Sequence, residues 1–365
     1  MNKNKYLKYK NKYIKLKNKL GGDCNPRPVE DEIDLITYDV LKDLPPNEII
    51  TIPLKYKSYG NEKIINRCYK IESIYKVKNQ NPLDPESSIP LSAENISDIN
   101  FAYYKLYLPP SLQIENNTKI RDGEFNSKNL ELVNIPNSVI DIGQYAFAHN
   151  FLRIVVIPRS VKIINFRAFY DCKLETILFE SDSNITKISQ EAFIDNKLRR
   201  ITIPKSVKSI EEGAFKNNKL ELLTKDDMPN IVTIDSEVFA MNKLTSVFIP
   251  CSVKTIEERA FSNNELENII FDRDSKIITI GEYAFSYNKL SILSIPNTVT
   301  AIHSYAFIHN KLEFVNISKS VTIIGQGAFY ENKSLKEVII PYKFMNNIYN
   351  IFENIFSIKF TYLYD

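Results

Sequence analysis

Apolar and polar positions along most of this chain follow one repeated pattern. It is clearest in Leu198 to Lys219, LRRITIPKSVKSIEEGAFKNNK. Leu198, Ile201 and Ile203 hold positions 1, 4 and 6 of the unit, and the last two alternate as a half-buried strand requires. Pro204 follows and, having no N–H to donate, ends the pairing. Val207, Ile210, Ala214 and Phe215 then recur at i, i+3, i+7 and i+8. That spacing fits a short helical turn or an irregular arc that closes the coil, with a second short strand as the alternative.

The unit starts again at Leu130, Leu152, Leu174, Leu220, Leu244, Leu266, Leu290, Leu312 and Leu335. Its phenylalanine recurs at Phe125, Phe147, Phe169, Phe193, Phe215, Phe239, Phe261, Phe285, Phe307 and Phe329, with gaps of 22 or 24 residues. A fixed period of this size is the signature of a solenoid, in which each repeat buries its apolar face only against its neighbours. The expected fold is α/β: a right-handed leucine-rich-repeat solenoid with parallel strands on the concave face and short helical or irregular return arms. It should run from about Tyr103 to Phe360 with about twelve strands.

Small Ala beside large Phe lets neighbouring arms approach while the rings stack, each ring contributing about 3–5 kcal/mol. Three residues after the Phe comes Asn, except at Lys128 and Cys172. Asn tolerates left-handed backbone angles and bonds nearby backbone, so it is expected to make the turn into each strand. From Phe169 to Phe285 the longer units put Glu180, Asp226 and Asp272 where shorter ones have Pro, which predicts a larger acidic loop on every second rung. No loop offers the six to eight oxygens of a Ca²⁺ site.

The flanks differ. Residues 1–22 read as a basic amphipathic leader helix. Tyr6, Tyr9, Tyr13, Leu16 and Leu20 line one stripe, and Gly21-Gly22 stops it. Such a helix is either solvated, or it meets an anionic membrane surface or an acidic partner through its lysines. Residues 23–102 are broken by prolines and read as an irregular N-terminal capping region. Leu44-Pro45-Pro46-Asn47-Glu48-Ile49-Ile50 faintly resembles the start of an F-box, although Pro53 falls where that helix should continue. The repeats occupy 103–341. Residues 342–365 read as a C-terminal cap, with a short helix over 344–354 and Ile355-Ile358-Phe360 pairing with Leu335-Val338-Ile340.

The unit Leu-x-x-Ile-x-Ile-Pro-x-Ser-Val-x-x-Ile-x-x-x-Ala-Phe-x-x-Asn resembles the BspA-like class of leucine-rich repeats. That class often has Cys where this chain mostly has Asn, and only Cys172 keeps it. It also often has Gly after the return-arm Ile, kept at Gly143, Gly281 and Gly325. The leader around Lys5-Tyr6-Leu7-Lys8-Tyr9 is similar to one found on giant-virus proteins of the Mimivirus group. These resemblances imply adhesion or protein binding rather than catalysis, and they carry over no site residues.

Charge and chemistry agree with a binding role. The net charge is +3, and residues 1–20 hold eight Lys and no acid, so subtracting those eight leaves −5 on the remainder. The repeat body is therefore not a polybasic nucleic-acid surface. Cys24, Cys68, Cys172 and Cys251 are scattered without metal or disulfide spacing, which fits free thiols in a reducing compartment. His149 and His309 share a repeat position but lie seven rungs apart, roughly 34 Å, too far for one metal. No P-loop, G-x-S-x-G or H-E-x-x-H occurs. Catalytic, cofactor and metal sites are expected to be absent, as are a signal peptide and a membrane span, which leaves the host cytoplasm or a virus particle as the expected location.

The expected site is the strand face. Position 2 reads Glu131, Arg153, Glu175, Arg199 and Glu221 in successive rungs, a pattern suited to cross-rung ion pairs. Positions 3 and 5 carry Ile154, Val156, Leu178, Leu222, Phe248, Ile270, Ile292 and Phe314. Apolar groups on a face meant for water mark either a protein-binding patch or a surface covered by a terminal segment. Three functions follow from this reading. The first is a solenoid that binds a protein ligand, displayed by a virus or acting on host proteins. The second is an intracellular adaptor with an F-box-like N-terminus, and the third is a purely structural virion component.

Overall fold

The computed structural model describes residues 49–58, 61–70 and 118–364, the last stretch without 226, 229 and 354. The chain divides into two compact units, Met1–Pro110 and Ser111–Asp365. In the first, Ile49–Ser58 and Asn61–Lys70 form an antiparallel hairpin, with Ile49 opposite Lys70 and Ser58 opposite Asn61. A strand over Ile49–Ser58 overturns the helix that the F-box resemblance requires there; the run Ile49-Ile50-Thr51-Ile52 is β-branched throughout and favours the extended chain. The leader helix, the rest of the capping region and the expected first repeat at Tyr103 lie outside the described residues.

The second unit is a parallel-strand solenoid. One edge of most rungs carries the expected strand; in the Leu198 rung Ile201 and Ile203 are buried but form no strand, and the Leu130 rung has only a single-residue bridge at Asn134. Ile154–Ile157 pairs with Thr176–Phe179, Ser246–Ile249 pairs with Leu222–Leu223 and Asn268–Phe271, and Ile292–Ser294 pairs with Phe314–Asn316. Every pairing is parallel and in register by one repeat. Position 4 faces inward and is buried, as at Val155, Val247, Leu293 and Val315.

The return arm is not helical. It carries a second ladder of two-residue strands, such as Lys187–Ile188 against Ser209–Ile210 and Thr255–Ile256 against Thr279–Ile280. A tight turn follows, and its backbone explains the missing helix. Two residues per rung adopt left-handed angles, one two before the Phe and one two after it. Glu191 (φ 54°) and Asp195 (φ 59°) bracket Phe193, and Tyr283 (φ 53°) and Tyr287 (φ 55°) bracket Phe285. A left-handed residue interrupts a right-handed helix and costs about 1–2 kcal/mol when it is not glycine. The arc's N–H groups are turned to the next rung instead. Gly213, Phe215 and Asn217 donate to the carbonyls of Ser236, Val238 and Ala240 at 2.9, 3.0 and 3.0 Å. Each such bond returns about 0.5–1.5 kcal/mol net. The spacing i, i+3, i+7 therefore marks inward positions on an arc, not one face of a helix.

The core is the expected aromatic spine. Phe125, Phe147, Phe169, Phe193, Phe215, Phe239, Phe261, Phe285, Phe307, Phe329 and Phe352 stack in succession. Their centroids lie 5.1 to 6.0 Å apart and their planes within 3 to 17°. The Asn column beside the spine bonds nearby backbone as expected, but it does not itself take the left-handed angle. Left-handed angles fall on the residue before it, at His149, Asp195, Asn217 and Met241, while the Asn itself is buried. Asn196 Nδ2 donates to Phe193 O in its own rung (3.1 Å) and to Phe169 O in the rung before (2.8 Å). Its Oδ1 accepts from Leu174 N at 2.8 Å and Cys172 N at 3.1 Å.

The C-terminal segment adds a last rung. Residues Tyr342–Asn347 form a 3-10 helix and Ile348–Ile351 a single α-helical turn, shorter than the helix expected over 344–354. Phe329 N donates to Ile351 O, and Phe352 stacks on Phe329 at 5.1 Å, so Ile351-Phe352 stands in for Ala-Phe. The final strand is Lys359–Leu363, parallel to Glu337–Pro341. Its register differs by two residues from the expected one: Phe360 lies opposite Val338 and Tyr362 opposite Ile340. A slip of two keeps the same side chains on the same face, so the hydrophobic pattern alone does not select between the registers.

Candidate interaction face

Strand positions 3 and 5 point away from the core, and the register decides which of the eight candidate residues meet. Phe248 lies directly opposite Ile270, and Ile292 directly opposite Phe314. These are two in-register apolar pairs on neighbouring parts of one face. Ile292 is 66% exposed, Ile270 51% and Leu222 40%. Phe248 and Phe314 are half-buried, as are Ile154 and Val156. Leu222 faces Ser246, and Ile154 faces Thr176, so neither joins an apolar pair. Leu178 lies opposite Val156 and is only 4% exposed, so unlike the others it offers no free surface. The C-terminal segment does not cover this face, because Lys359–Leu363 extends the ladder by one strand instead of folding across it.

Several charges of the strand face pair along the ladder. Arg153 holds Glu175 through two bonds, Nε to Oε1 at 3.2 Å and Nη2 to Oε2 at 3.1 Å. The hydrogen bond from Arg153 keeps the Glu175 carboxyl below the usual range. Arg199 pairs with Glu221 at 3.7 Å, Lys336 with Glu313 at 2.7 Å and Lys359 with Glu337 at 3.0 Å. One position before the leucine, Glu265 accepts from Lys289 at 2.9 Å and faces Lys243 at 3.2 Å; bonds from these two lysines, Lys289 foremost, hold its carboxyl down. Exposed pairs of this kind contribute about 0–1 kcal/mol, so they partly neutralise the ladder without adding much stability. A shallow depression lies among Ser291, Ile292, Glu313, Phe314, Lys336 and Glu337. Ser291, Lys336 and Glu337 join the site only through the register.

The loops of the longer rungs use their acidic groups internally. Glu180 Oε2 accepts from Arg159 N at 2.8 Å, and Asp227 Oδ2 accepts from Thr224 N at 2.6 Å. Beside the latter, Met228 is fully buried, in a rung where Lys225 occupies the position held by Phe179 and Phe271 in the other long rungs. The histidines stay apart: His149 Nδ1 lies 3.3 Å from Asp171 Oδ2, and His309 stacks on Tyr287 at 4.4 Å. Among the described residues no three His, Cys, Asp or Glu side chains come together, and no helix is long and apolar enough to cross a membrane.

The repeat and its geometry match a known family over residues 118–232 and 232–359, the BspA type leucine rich repeat region. The chain belongs to that family. Among solved structures, a BspA-type chain such as this one is similar to a leucine-rich repeat protein from Bacteroides ovatus at 18% identity. That likeness covers 86% of this chain and 98% of the other, with a TM-score of 0.49. It is also similar to a leucine rich cell surface protein from Faecalibacterium prausnitzii, at 24% identity over 61% of this chain and 69% of that one, TM-score 0.39. The pneumococcal vaccine antigen PcpA is 17% identical over 61% of this chain and 72% of its own, TM-score 0.36. No curated protein matches the chain.

Proposed function

We propose that this BspA-type solenoid is a non-catalytic interaction protein that binds a protein ligand through its strand face, centred on Phe248–Ile270 and Ile292–Phe314. The observation that carries the reading is the exposure of Ile270 and Ile292 as members of in-register apolar pairs on the strand face. Isolated exposed apolar residues are ordinary, but in-register pairs beside a depression form the desolvated centre that interfaces use. Lys-rich residues 1–20 supply a separate handle for an acidic partner or an anionic membrane surface. Display on a giant-virus particle, or action on host proteins, rests on the resemblance of the leader.

The test compares three full-length proteins as baits in lysate: the parent, the double variant Ile270→Glu with Ile292→Glu, and Ile278→Glu. Ile278 is 44% exposed on the return-arm ladder and serves as the control. A partner held by the parent and the control but lost from the double variant supports the face. Partners shared by all three would refute it. Proteomics of purified particles would then separate virion display from release into the host.

A further inference from the structure

We propose that the last strand, Lys359–Leu363, is a homodimerisation edge that pairs antiparallel with the same strand of a second copy, about a two-fold axis at Thr361. The strand bonds Glu337–Pro341 on one side, and among the described residues it ends its sheet. Lys359 N donates to Lys336 O within the ladder. Alternation along a strand then turns the N–H and C=O of Phe360 and Tyr362 to the open edge. Open edges of this kind are usually blunted by a charge, a proline or a polar cap. Here the one charged residue, Lys359, is already held by Glu337 Oε1 at 3.0 Å.

Large apolar side chains are exposed in the same terminal segment, among exposed Lys343, Asn350 and Glu353. Phe356 is 94% exposed, Tyr349 and Tyr364 64%, Tyr342 46% and Met345 43%. Tyr342 touches Tyr364 and Tyr362 at 4.7 and 6.0 Å between centroids, and Tyr349 touches Phe356 at 6.5 Å. At the 150–250 Å² an aromatic side chain can bury, these exposed residues offer roughly 600 Å² per copy. Across a two-fold axis that doubles to roughly 1,200 Å², the lower bound for a specific interface.

Three features select a second copy as the occupant. Unpaired backbone groups require another extended strand. The segment Lys359-Phe360-Thr361-Tyr362-Leu363 is complementary to itself when reversed about Thr361. Phe360 then faces the second copy's Tyr362, Thr361 faces Thr361, and Lys359 faces Leu363. Aromatic–aromatic and Thr–Thr pairs are favourable across strands, and no like charges oppose each other. Thirdly, the available area suffices when both partners contribute it. An isologous contact closes on itself, so the product is a dimer and not a filament.

Sedimentation of the full-length chain tests this. The parent should sediment as a dimer in the high-micromolar range and dissociate on dilution. Thr361 is exposed, so Thr361→Lys and Thr361→Glu should fold as the parent does by circular dichroism. Each sets like charges against each other across the axis and should abolish the dimer. An equal mixture of the two should recover it. A parent that stays monomeric would overturn the proposal, and so would a dimer that neither substitution weakens or a mixture that stays monomeric.

Discussion

The side-chain amide of Asn218 donates to the carbonyl of Phe193, one rung earlier, at 2.9 Å. The same nitrogen donates to Phe215 O in its own rung at 3.1 Å, while Oδ1 accepts from Leu198 N at 3.0 Å. One buried side chain thus serves backbone groups on both sides of a rung boundary. Asn218→Ala would leave those groups without a partner and should cost about 1–3 kcal/mol. Urea denaturation checks this, and an unchanged midpoint would show that the amide is dispensable.

Cys172 occupies the equivalent slot two rungs earlier. Its Sγ donates to Phe147 O at 2.9 Å, but it has no carbonyl oxygen to receive the Leu152 N–H as Asn218 receives that of Leu198. Cys172→Asn should therefore stabilise the array by about 1 kcal/mol, read as a higher urea midpoint with an unchanged slope. Burial also pushes the Cys172 thiol up to about 12 from its ordinary value of 9.0. The folded chain keeps that proton while the unfolded chain loses it. This site's share of stability is then intact below pH 9.0 and falls as pH rises from there toward about 12. In the native protein Cys172 should resist alkylation that labels it readily in urea.

Phe215→Ala removes one member of the spine from between Phe193 and Phe239 and should cost about 3–5 kcal/mol. Its ring is fully buried, and its neighbours lie 5.5 and 6.0 Å away. A thermal melt overlaying that of the parent would place the ring outside the core.

At the end of the stack, Phe352→Ala should uncover Phe329 and loosen the last rung. Deleting residues 342–365 should go further and yield an aggregating or protease-sensitive protein, because Phe329 and the edge of Glu337–Pro341 would be left open. Limited proteolysis and light scattering measure this. A soluble truncation with the parent's melting temperature would show the segment to be dispensable.

The strand, the spine and the rung boundaries were legible because Leu152, Val155, Ile157 and Phe169 each have one geometric role, repeated many times. Three features were less legible. Val207 and Ile210 are spaced for a helix as well as for an arc, and only the left-handed residues beside the Phe decide between them. Residues as different as Glu191, Tyr283 and Gly213 occupy that left-handed site, so residue type gives no signal. Phe352 was hidden because Ile351 replaces the alanine and the gap from Phe329 is neither 22 nor 24 residues. As for the site, the apolar positions could be read from the alternation, whereas the pairing of Ile292 with Phe314, and the burial of Leu178, depend on neighbours one rung away.

A stack of rungs shares cooperativity only through its boundaries, and one boundary is thinner than the rest. The return-arm ladder stops at Ser209–Ile210 and resumes at Thr233–Ile234 without a bridge between them. The strand-face ladder is thin there as well: Leu222–Leu223 pairs forward with Ser246–Val247 and has no strand behind it, although Glu221 N donates to Arg199 O and Ile203 N to Asp227 O, both at 3.2 Å. Phe215 and Phe239 span this boundary at 6.0 Å, the widest step of the spine. The turn arc still crosses it, through the bonds of Gly213, Phe215 and Asn217. In a one-dimensional chain of coupled units, such a joint divides the array into two blocks that can open separately. Hydrogen exchange should report two protection classes meeting near Leu220. Pulled from its ends, the molecule should yield first at that joint, so the solenoid carries a built-in seam.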